Sequence, residues 1–277
     1  MKSTNPRAKP ELPPSAHRRL FESRRTVTFI LVGVFLLSLL GVEWGTGVIK
    51  PGGFLAMTET IGALFRPELS SETLLKAATA AWQTVAYAVA GITIALLIGV
   101  PLGVLASGTT VRTRTASALQ TGLVRSILAF FRSIHELVWA LLFVAAIGLS
   151  PMSAILALGI PYGGILGRIY SELLQDVPQA PLDALRSSGA SEWQVFTHGR
   201  LPMALPDMLS YTFYRFECGI RSAAVLGWIG LGGLGFQVQI ALEDLAYERA
   251  WTFLWVLVVL VVCVDVWSGQ VRRKLVS

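Results

Sequence analysis

Two pairs of opposite charges lie inside otherwise apolar stretches of the chain, and the members of each pair are four residues apart. They are Arg132 with Glu136 and Glu217 with Arg221. Residues at this spacing share one face of a helix. A charge near the centre of a membrane span costs on the order of 3 kcal/mol, so such groups usually face a bundle interior or a watery cavity. The pairs therefore either fix helix packing or, chiefly through Arg221 and also through Arg132, give a pathway a positive field for an anion.

A glycine-rich stretch, Gly230-Leu-Gly232-Gly233-Leu-Gly235, follows the second pair. A phosphate-binding loop would need a following Lys-Ser/Thr and a preceding strand, and the sequence offers neither. In an apolar segment this composition predicts a break in a membrane helix. The backbone at the break then either lines a pathway or lets neighbouring helices pack closely.

The sizeable polar stretch near the middle of the chain, residues 182–202, separates two long apolar runs. It predicts one short helix over residues 183–190, which ends at Gly189 as a left-handed C-cap. A second short helix over residues 191–198 has Ser191 as its N-cap. The expected apolar side of this second helix consists of Trp193, Val195 and Phe196. Such a surface just outside a membrane is typical of a docking site for another protein, and an ordinary loop between membrane helices is the alternative.

The composition indicates a polytopic membrane protein. Of 277 residues, 53% are hydrophobic and 14% are charged, and the mean hydropathy is +0.61. Soluble domains carry about 25% charged residues. The net charge of +6 is explained by Lys and Arg on cytoplasmic loops, so nucleic acid is not an expected partner.

We expect about six membrane spans in an all-α fold, since one span needs about 20 apolar residues. The predicted spans are residues 26–42, 74–106, 128–149, 152–174, 206–229 and 251–267. Pro202 and Pro206 are expected to break the chain before the fifth span. Basic residues crowd both termini and the loops after the second and fourth spans, which predicts that both termini are cytoplasmic.

The predicted organisation has three parts. Residues 1–25 form a basic, Pro-rich segment that is disordered or lies along the membrane surface. Residues 26–271 form the transmembrane domain, which includes a cytoplasmic loop over residues 175–203. Residues 272–277 are a cytoplasmic tail.

Two rival functions are an enzyme that acts on lipid and a self-contained channel, and the sequence gives little support to either. Cys218 and Cys263 lie in apolar segments, and no Cys/His cluster has metal-ligand spacing, so neither a disulfide nor a metal site is expected. An enzyme would need a positioned acid and base or a metal cluster. The nearest candidates, Glu136 with His135 and Glu172 with Arg168, have no such arrangement, and no catalytic residue is predicted. A channel would need no ATPase.

The polar stretch resembles the EAA loop of ABC importer permeases, which couples the permease to a cytoplasmic ATPase. The resemblance assigns to ATPase coupling the residues Asp183, Ala184, Leu185, Gly189, Ala190, Leu201 and Pro202. Two positions depart from the family pattern. Leu185 replaces the second small residue, and Gly199 replaces a branched apolar residue.

Residues 130–141, 210–217, 221–227 and 230–235 are similar to segments of phosphonate-type ABC importer permeases, although His135 stands where many members have Pro. The resemblance covers roughly residues 72–271. It implies a type I ABC importer permease fold in a bacterial inner membrane. It also implies import of a phosphonate, phosphite or hypophosphite, with another small anion or metabolite as the alternative.

The partners follow from the same resemblance. They are two ATPase subunits that hold ATP and Mg, a second permease subunit that is a copy or a paralogue, a periplasmic binding protein, and membrane lipid. This chain has no Gly-x-x-x-x-Gly-Lys-Ser/Thr, so no nucleotide cofactor of its own is expected. The expected substrate-pathway residues are Arg132, Glu136, Glu217, Arg221, Gly230, Gly232, Gly233 and Gly235.

Overall fold

Helices make up the regular structure of the described residues. The computed structural model describes residues 14–41, 53–109 and 114–276. In chain order, the helices are α1 (Pro14–Leu40), α2 (Gly53–Ala63), α3 (Ser71–Ser107), α4 (Arg114–Ser133), α5 (Glu136–Ile147), α6 (Pro151–Asp176), α7 (Gln179–Ser187), α8 (Glu192–Gln194), α9 (Leu201–Leu226), α10 (Gly233–Glu243) and α11 (Tyr247–Val276). The chain divides into two units, residues 1–57 and 58–277.

The first unit contains α1, which is apolar over Thr26–Leu40. Its large side chains are exposed, as at Phe29 (75%) and Leu40 (81%). Such a surface suits the predicted first span, because lipid rather than protein would surround it. The helix begins at Pro14, so the last part of the segment predicted to be disordered or to lie on the membrane surface is helical. Residues 1–13 of that segment lie outside the described residues.

Three helices of the second unit, α3, α6 and α11, are long and apolar enough to cross a membrane. They contain the predicted second, fourth and sixth spans. Two further pairs of helices pass the same test only if each bent pair counts as one span, which gives up to five spans in the described residues. The shorter apolar helix of the first unit lies at the remaining predicted span.

Helices α3 and α6 pack closely through small residues. A Cβ atom added at Gly91, Gly99 or Gly103 of α3 would lie 2.8–3.0 Å from the Cβ atoms of Leu158, Leu166 and Tyr170 of α6. Membrane helices approach one another through such small faces. Both helices start at serine N-caps, where Ser70 accepts from the backbone N–H of Thr73 and Ser150 from that of Ser153.

The predicted third span, residues 128–149, is broken by a sharp bend. Helix α4 ends at Ser133, α5 begins at Glu136, and the two are bent by 85°. His135 has an extended backbone (φ −64°, ψ 145°), and its Nδ1 accepts a hydrogen bond from the N–H of Leu137 at 3.3 Å. The imidazole therefore acts as an N-cap, which lets a new helix start inside an apolar run.

The predicted break at Pro202 and Pro206 is wrong. Helix α8 continues through a π-helical turn, Val195–Arg200, into α9, which contains both prolines. Pro202 also lies inside this continuous helix, where it has no N–H to donate. Pro206 removes one hydrogen bond from a long packed helix, a loss that membrane helices tolerate. The bend comes later, and helix 192–231 meets α10 at 51°.

A short turn joins α10 and α11. Helix α10 ends at Glu243 and α11 begins at Tyr247. The N–H of Ala246 donates to the carbonyl of Ala241 at 2.8 Å, which closes the turn. The last helix therefore extends beyond the predicted span at both ends.

Candidate functional site

The predicted coupling loop, residues 175–203, contains α7, α8 and the π-helical turn. Helix α7 begins at Gln179 rather than at Asp183, so the predicted start was four residues late. Gly189 follows the helix with φ +89°, and no atom lies within 4 Å of an added Cβ. This position requires glycine for its left-handed backbone and not for lack of space.

Arg186 joins the two short helices. Its guanidinium donates to Asp183 Oδ1 on its own helix at 2.8 Å and to Glu192 Oε1 on α8 at 3.1 Å. A second nitrogen donates to Glu192 Oε2 at 3.2 Å. The hydrogen bond to Glu192, and next the one to Asp183, raise the pKa of Arg186. The bidentate contact fixes the angle between α7 and α8.

Ser191 is the N-cap of α8, as predicted. Its side chain accepts from the N–H of Gln194, and the Gln194 side chain accepts from the N–H of Ser191, which forms a capping box. The predicted apolar side is divided between surface and core. Trp193 is 65% exposed, whereas Val195 and Phe196 are buried. Trp193 stacks on Phe196 with ring centroids 5.7 Å apart, so the buried phenyl ring holds the exposed indole in place.

The buried side of the loop joins the core of the membrane domain. Leu182, Val195 and Phe196 belong to one hydrophobic cluster with side chains of α6 and α9. Arg200, which is 7% exposed, donates from Nη1 to the carbonyl of Leu174 at 2.5 Å. A cation at the last turn of α6 satisfies a carbonyl group that the helix leaves open. Sequence reasoning missed Arg200, since nothing near it indicates which helix end it would reach.

The two departures from the EAA pattern compensate for each other. A Cβ atom at Gly199 would lie 2.8 Å from Leu185 Cδ1 and 2.8 Å from Leu182 Cδ2. The large side chain at position 185 therefore occupies the space that a branched residue at position 199 would need. A small-to-large change at one position is matched by a large-to-small change at its neighbour.

The first predicted pair, Arg132 with Glu136, is not a pair. Arg132 lies exposed at the end of α4, and Glu136 starts α5 beyond the 85° bend. The Glu136 carboxylate instead accepts a hydrogen bond from Ser222 of α9 at 2.7 Å. Ser222 also contacts the buried Tyr162 hydroxyl of α6 at 2.9 Å. Sequence reasoning missed both partners, because neither has a spacing relation to Glu136.

The second predicted pair is present. Arg221 donates to Glu217 one turn earlier on α9. Arg272 of α11 approaches the other oxygen of Glu217 at 3.8 Å, so one buried carboxylate serves two cations. Arg221 keeps 54% of its side chain exposed. Its guanidinium is thus neutralised by Glu217 while it remains accessible.

The glycine-rich stretch breaks the helix, as predicted. The N–H of Gly233 donates to Gln83 of α3 at 3.0 Å, and the next N–H donates to Thr84 at 3.0 Å. An added Cβ at Gly232 would lie 2.6 Å from the Gln83 side chain, and one at Gly235 would lie 1.8 Å from the carbonyl oxygen of Ala224. Of the two interpretations of this stretch, these contacts favour close packing. A pathway role for these glycines stays a prediction.

Comparison with known proteins identifies the family. The family described as binding-protein-dependent transport system inner membrane component matches residues 99–277. Phosphite transport system permease protein PtxC of Stutzerimonas stutzeri is 33% identical over 191 residues, which are 69% of this chain and 68% of that protein. HtxC of the same organism, provisionally named a phosphite transport system permease protein, is 31% identical over 86% of this chain and 84% of its own length. Phosphate-import permease protein PhnE of Mycolicibacterium smegmatis is 30% identical over 70% of this chain and 36% of its own.

The fold is also that of a solved transporter subunit. An inward-facing structure of the MetNI methionine ABC transporter superposes with a TM-score of 0.65 at 24% identity, over 75% of this chain and 99% of that one. This likeness confirms the predicted all-α permease fold. The inner-membrane family and the apolar helices indicate a multi-pass membrane protein. The chain belongs to the family of binding-protein-dependent transport system inner membrane components.

Proposed function

We propose that this chain is the permease subunit of an ABC importer for a phosphonate or another reduced phosphorus oxyanion, such as phosphite or hypophosphite. The chain lies in a bacterial inner membrane, where it forms a complex with a second permease subunit. Two ATPase subunits, which bind ATP and Mg, drive it from the cytoplasm, and a periplasmic binding protein delivers the substrate.

One observation carries the substrate class. Similarity to relatives named for phosphite transport extends over up to 86% of the chain, well beyond the coupling loop. The shared length includes the charged and polar residues of α5, α6 and α9, where substrate contacts are expected. A general membrane scaffold would need only the helix-packing residues.

The coupling loop supports the ATPase partner. Asp183, Ala184, Gly189 and Trp193 are exposed on one segment, while Leu182 anchors that segment in the core. A partner that pushes on this surface would move α6 and α9 as well, because Arg200 bonds the end of α6. The loop is thus exposed enough to bind and attached firmly enough to transmit a motion.

The pathway is proposed to run beside the contact of Glu136, Ser222 and Tyr162, where α5, α9 and α6 meet. A partly buried polar cluster in a membrane domain is costly, so it usually marks an ion or substrate route. Glu217 and Arg221 lie on α9 close to Ser222 and belong to the same proposal. Arg132 lies at the exposed end of α4 and is the weakest member of the predicted set.

Co-purification and uptake test the proposal. A tagged chain, expressed from its own operon, should recover a soluble ATPase at constant stoichiometry, and the complex in liposomes should import labelled phosphite, methylphosphonate or hypophosphite. Recovery of the chain without an ATPase would favour a channel or an enzyme and would overturn the proposal. Import of D-methionine in place of all three oxyanions would assign the chain to the substrate class named for relatives that are 26–29% identical.

A further inference from the structure

Arg215 of α9 differs in its surroundings from the neighbouring cations that pair with carboxylates. Arg221 and Arg272 share the Glu217 carboxylate, and Arg168 pairs with Glu172 of α6 at 2.6 Å. Arg215, near the middle of α9, forms no ion pair with any Asp or Glu of the described residues; its hydrogen bond goes to a tyrosine. The charge of Arg215 is therefore not neutralised by a neighbouring carboxylate.

Three tyrosine rings surround this guanidinium. Its central carbon lies 5.1 Å from the ring centre of Tyr162, 5.6 Å from that of Tyr211 and 5.9 Å from that of Tyr214. Nη2 also donates to the Tyr211 hydroxyl at 2.9 Å. Aromatic faces stabilise and orient a guanidinium without removing its positive charge. The arrangement holds a planar cation ready for an anion.

The hydrogen-bonding capacity of Arg215 is not filled. Its Nε is buried and has no partner among the described residues. Buried donors in folded proteins nearly always have a partner, and an exception calls for an explanation. A cavity of about 300 Å³ lies beside this cluster; Tyr211, Tyr214, Asp207 and Arg272 line it, whereas Arg215 itself does not. The planar fork of a guanidinium matches a small oxyanion.

Arg215 is also linked to the polar contact of α5, α6 and α9. The Tyr162 ring that lies against Arg215 carries the hydroxyl that contacts Ser222, and Ser222 in turn donates to Glu136. A cation and a carboxylate thus lie at the two ends of one chain of contacts. A displacement of Arg215 would therefore be transmitted to Glu136, at the start of α5.

We propose that Arg215, held by the rings of Tyr162, Tyr211 and Tyr214, is the cation that contacts the oxyanion during translocation. This inference rests on the proposed import of a phosphorus oxyanion. It assigns direct substrate contact to a cation that has no carboxylate partner among the described residues, beside the neutralised Arg221 of the proposed pathway.

The ratio of ATP hydrolysed to phosphite imported tests this role in the reconstituted complex with saturating binding protein. Arg215→Gln should raise the ratio about tenfold, the effect of losing one charge-assisted hydrogen bond. Arg215→Lys, which keeps the charge but not the planar fork, and Tyr211→Phe, which keeps the ring but not the hydroxyl, should each raise it about threefold. The control Arg168→Gln removes a cation outside this cluster and should leave the ratio within about twofold.

Outcomes separate the inference from the proposed function. A ratio unchanged in Arg215→Gln, including a parallel loss of import and hydrolysis, would mean that Arg215 only fixes packing and would overturn the inference. If the Arg215→Gln complex does not assemble, the ratio of ATP hydrolysed to phosphite imported is measured in Arg215→Lys and Tyr211→Phe. An unchanged ratio in both variants would overturn the inference. A wild-type complex that hydrolyses ATP but imports none of the three oxyanions would instead overturn the proposed function, and this inference with it.

Discussion

The coupling loop and the glycine break both contain a glycine at φ +89°, but their surroundings differ. Gly189 is exposed, and no atom lies within 4 Å of an added Cβ. Gly232 has the Gln83 side chain 2.6 Å from the same position, and Gly235 would meet the Ala224 carbonyl at 1.8 Å. One region leaves its turn exposed, whereas the other is completed by the chain itself. The same residue type therefore forms an open turn in one place and allows close packing in the other.

The largest loss of stability is expected from Gly235→Ala. The added methyl group would overlap the carbonyl of Ala224, and such overpacking costs about 3 kcal/mol or more. The thermal midpoint of the purified complex measures this loss. Gly122→Ala on α4, where an added Cβ meets no atom within 4 Å, is the matched control and should be neutral or slightly stabilising. Equal midpoints for the two variants would remove the distinction between the regions.

A smaller loss of stability, together with a complete loss of transport, is expected from Gly189→Val. A β-branched residue in the left-handed region costs about 1–3 kcal/mol, and the exposed side chain would also obstruct a partner. Membrane insertion, measured by fractionation, should remain intact. Gly189→Asn tolerates this backbone and should keep the wild-type thermal midpoint. Full phosphite uptake by Gly189→Val would refute the assignment of this turn to ATPase docking.

The compensating residues of the loop give an intermediate effect. Gly199→Val should destabilise the protein by about 1–3 kcal/mol, because Leu185 and Leu182 occupy the added volume. Adding Leu185→Ala should recover part of that loss, since it opens space on one side. A double-mutant cycle on thermal midpoints measures the coupling. Strictly additive losses would show that the two departures from the family pattern are independent.

The smallest loss of stability is expected from Arg186→Gln. Its contacts to Asp183 and Glu192 are largely exposed, and such ion pairs contribute about 0.2–1 kcal/mol. The difference in thermal midpoint should shrink further in high salt. The amount of ATPase that co-purifies with the chain should fall clearly even though the thermal midpoint changes little, because the angle between α7 and α8 is no longer fixed. A stability loss as large as that of Gly235→Ala would contradict the interpretation that these contacts lie on an exposed surface and contribute little to folding.

The helices of the second unit could be predicted where the sequence carries long apolar runs and caps. Helices α3, α6 and α11 contain the predicted second, fourth and sixth spans, and the cap at Ser191 could be predicted because this serine precedes a helical pattern. The bend at His135 could not be predicted in this way, since an imidazole acceptor is a rare N-cap. The continuity through Pro202 was missed because proline rules describe isolated helices, and here neighbouring helices support the segment.

Side-chain partners were predicted only where they lie on the same helix. Glu217 and Arg221 are one turn apart on α9, and this predicted pair is present. Glu136, by contrast, contacts Ser222, which is 86 residues away in the chain. A rule based on the spacing of residues along one helix cannot predict a contact between two helices.

The sequence alone determined the membrane class, the approximate spans, the family resemblance and the polar segment with its glycine turn, because each of these is written in local composition and spacing. Tertiary structure alone decided that the glycine break is filled by Gln83 and Thr84, that Leu185 and Gly199 compensate, and that Arg215 lies among tyrosines with no carboxylate partner among the described residues. The contacts of Gly233 with Gln83 and of Arg215 with Tyr162 join residues far apart in the chain. Only the packing of the helices brings them within reach of one another.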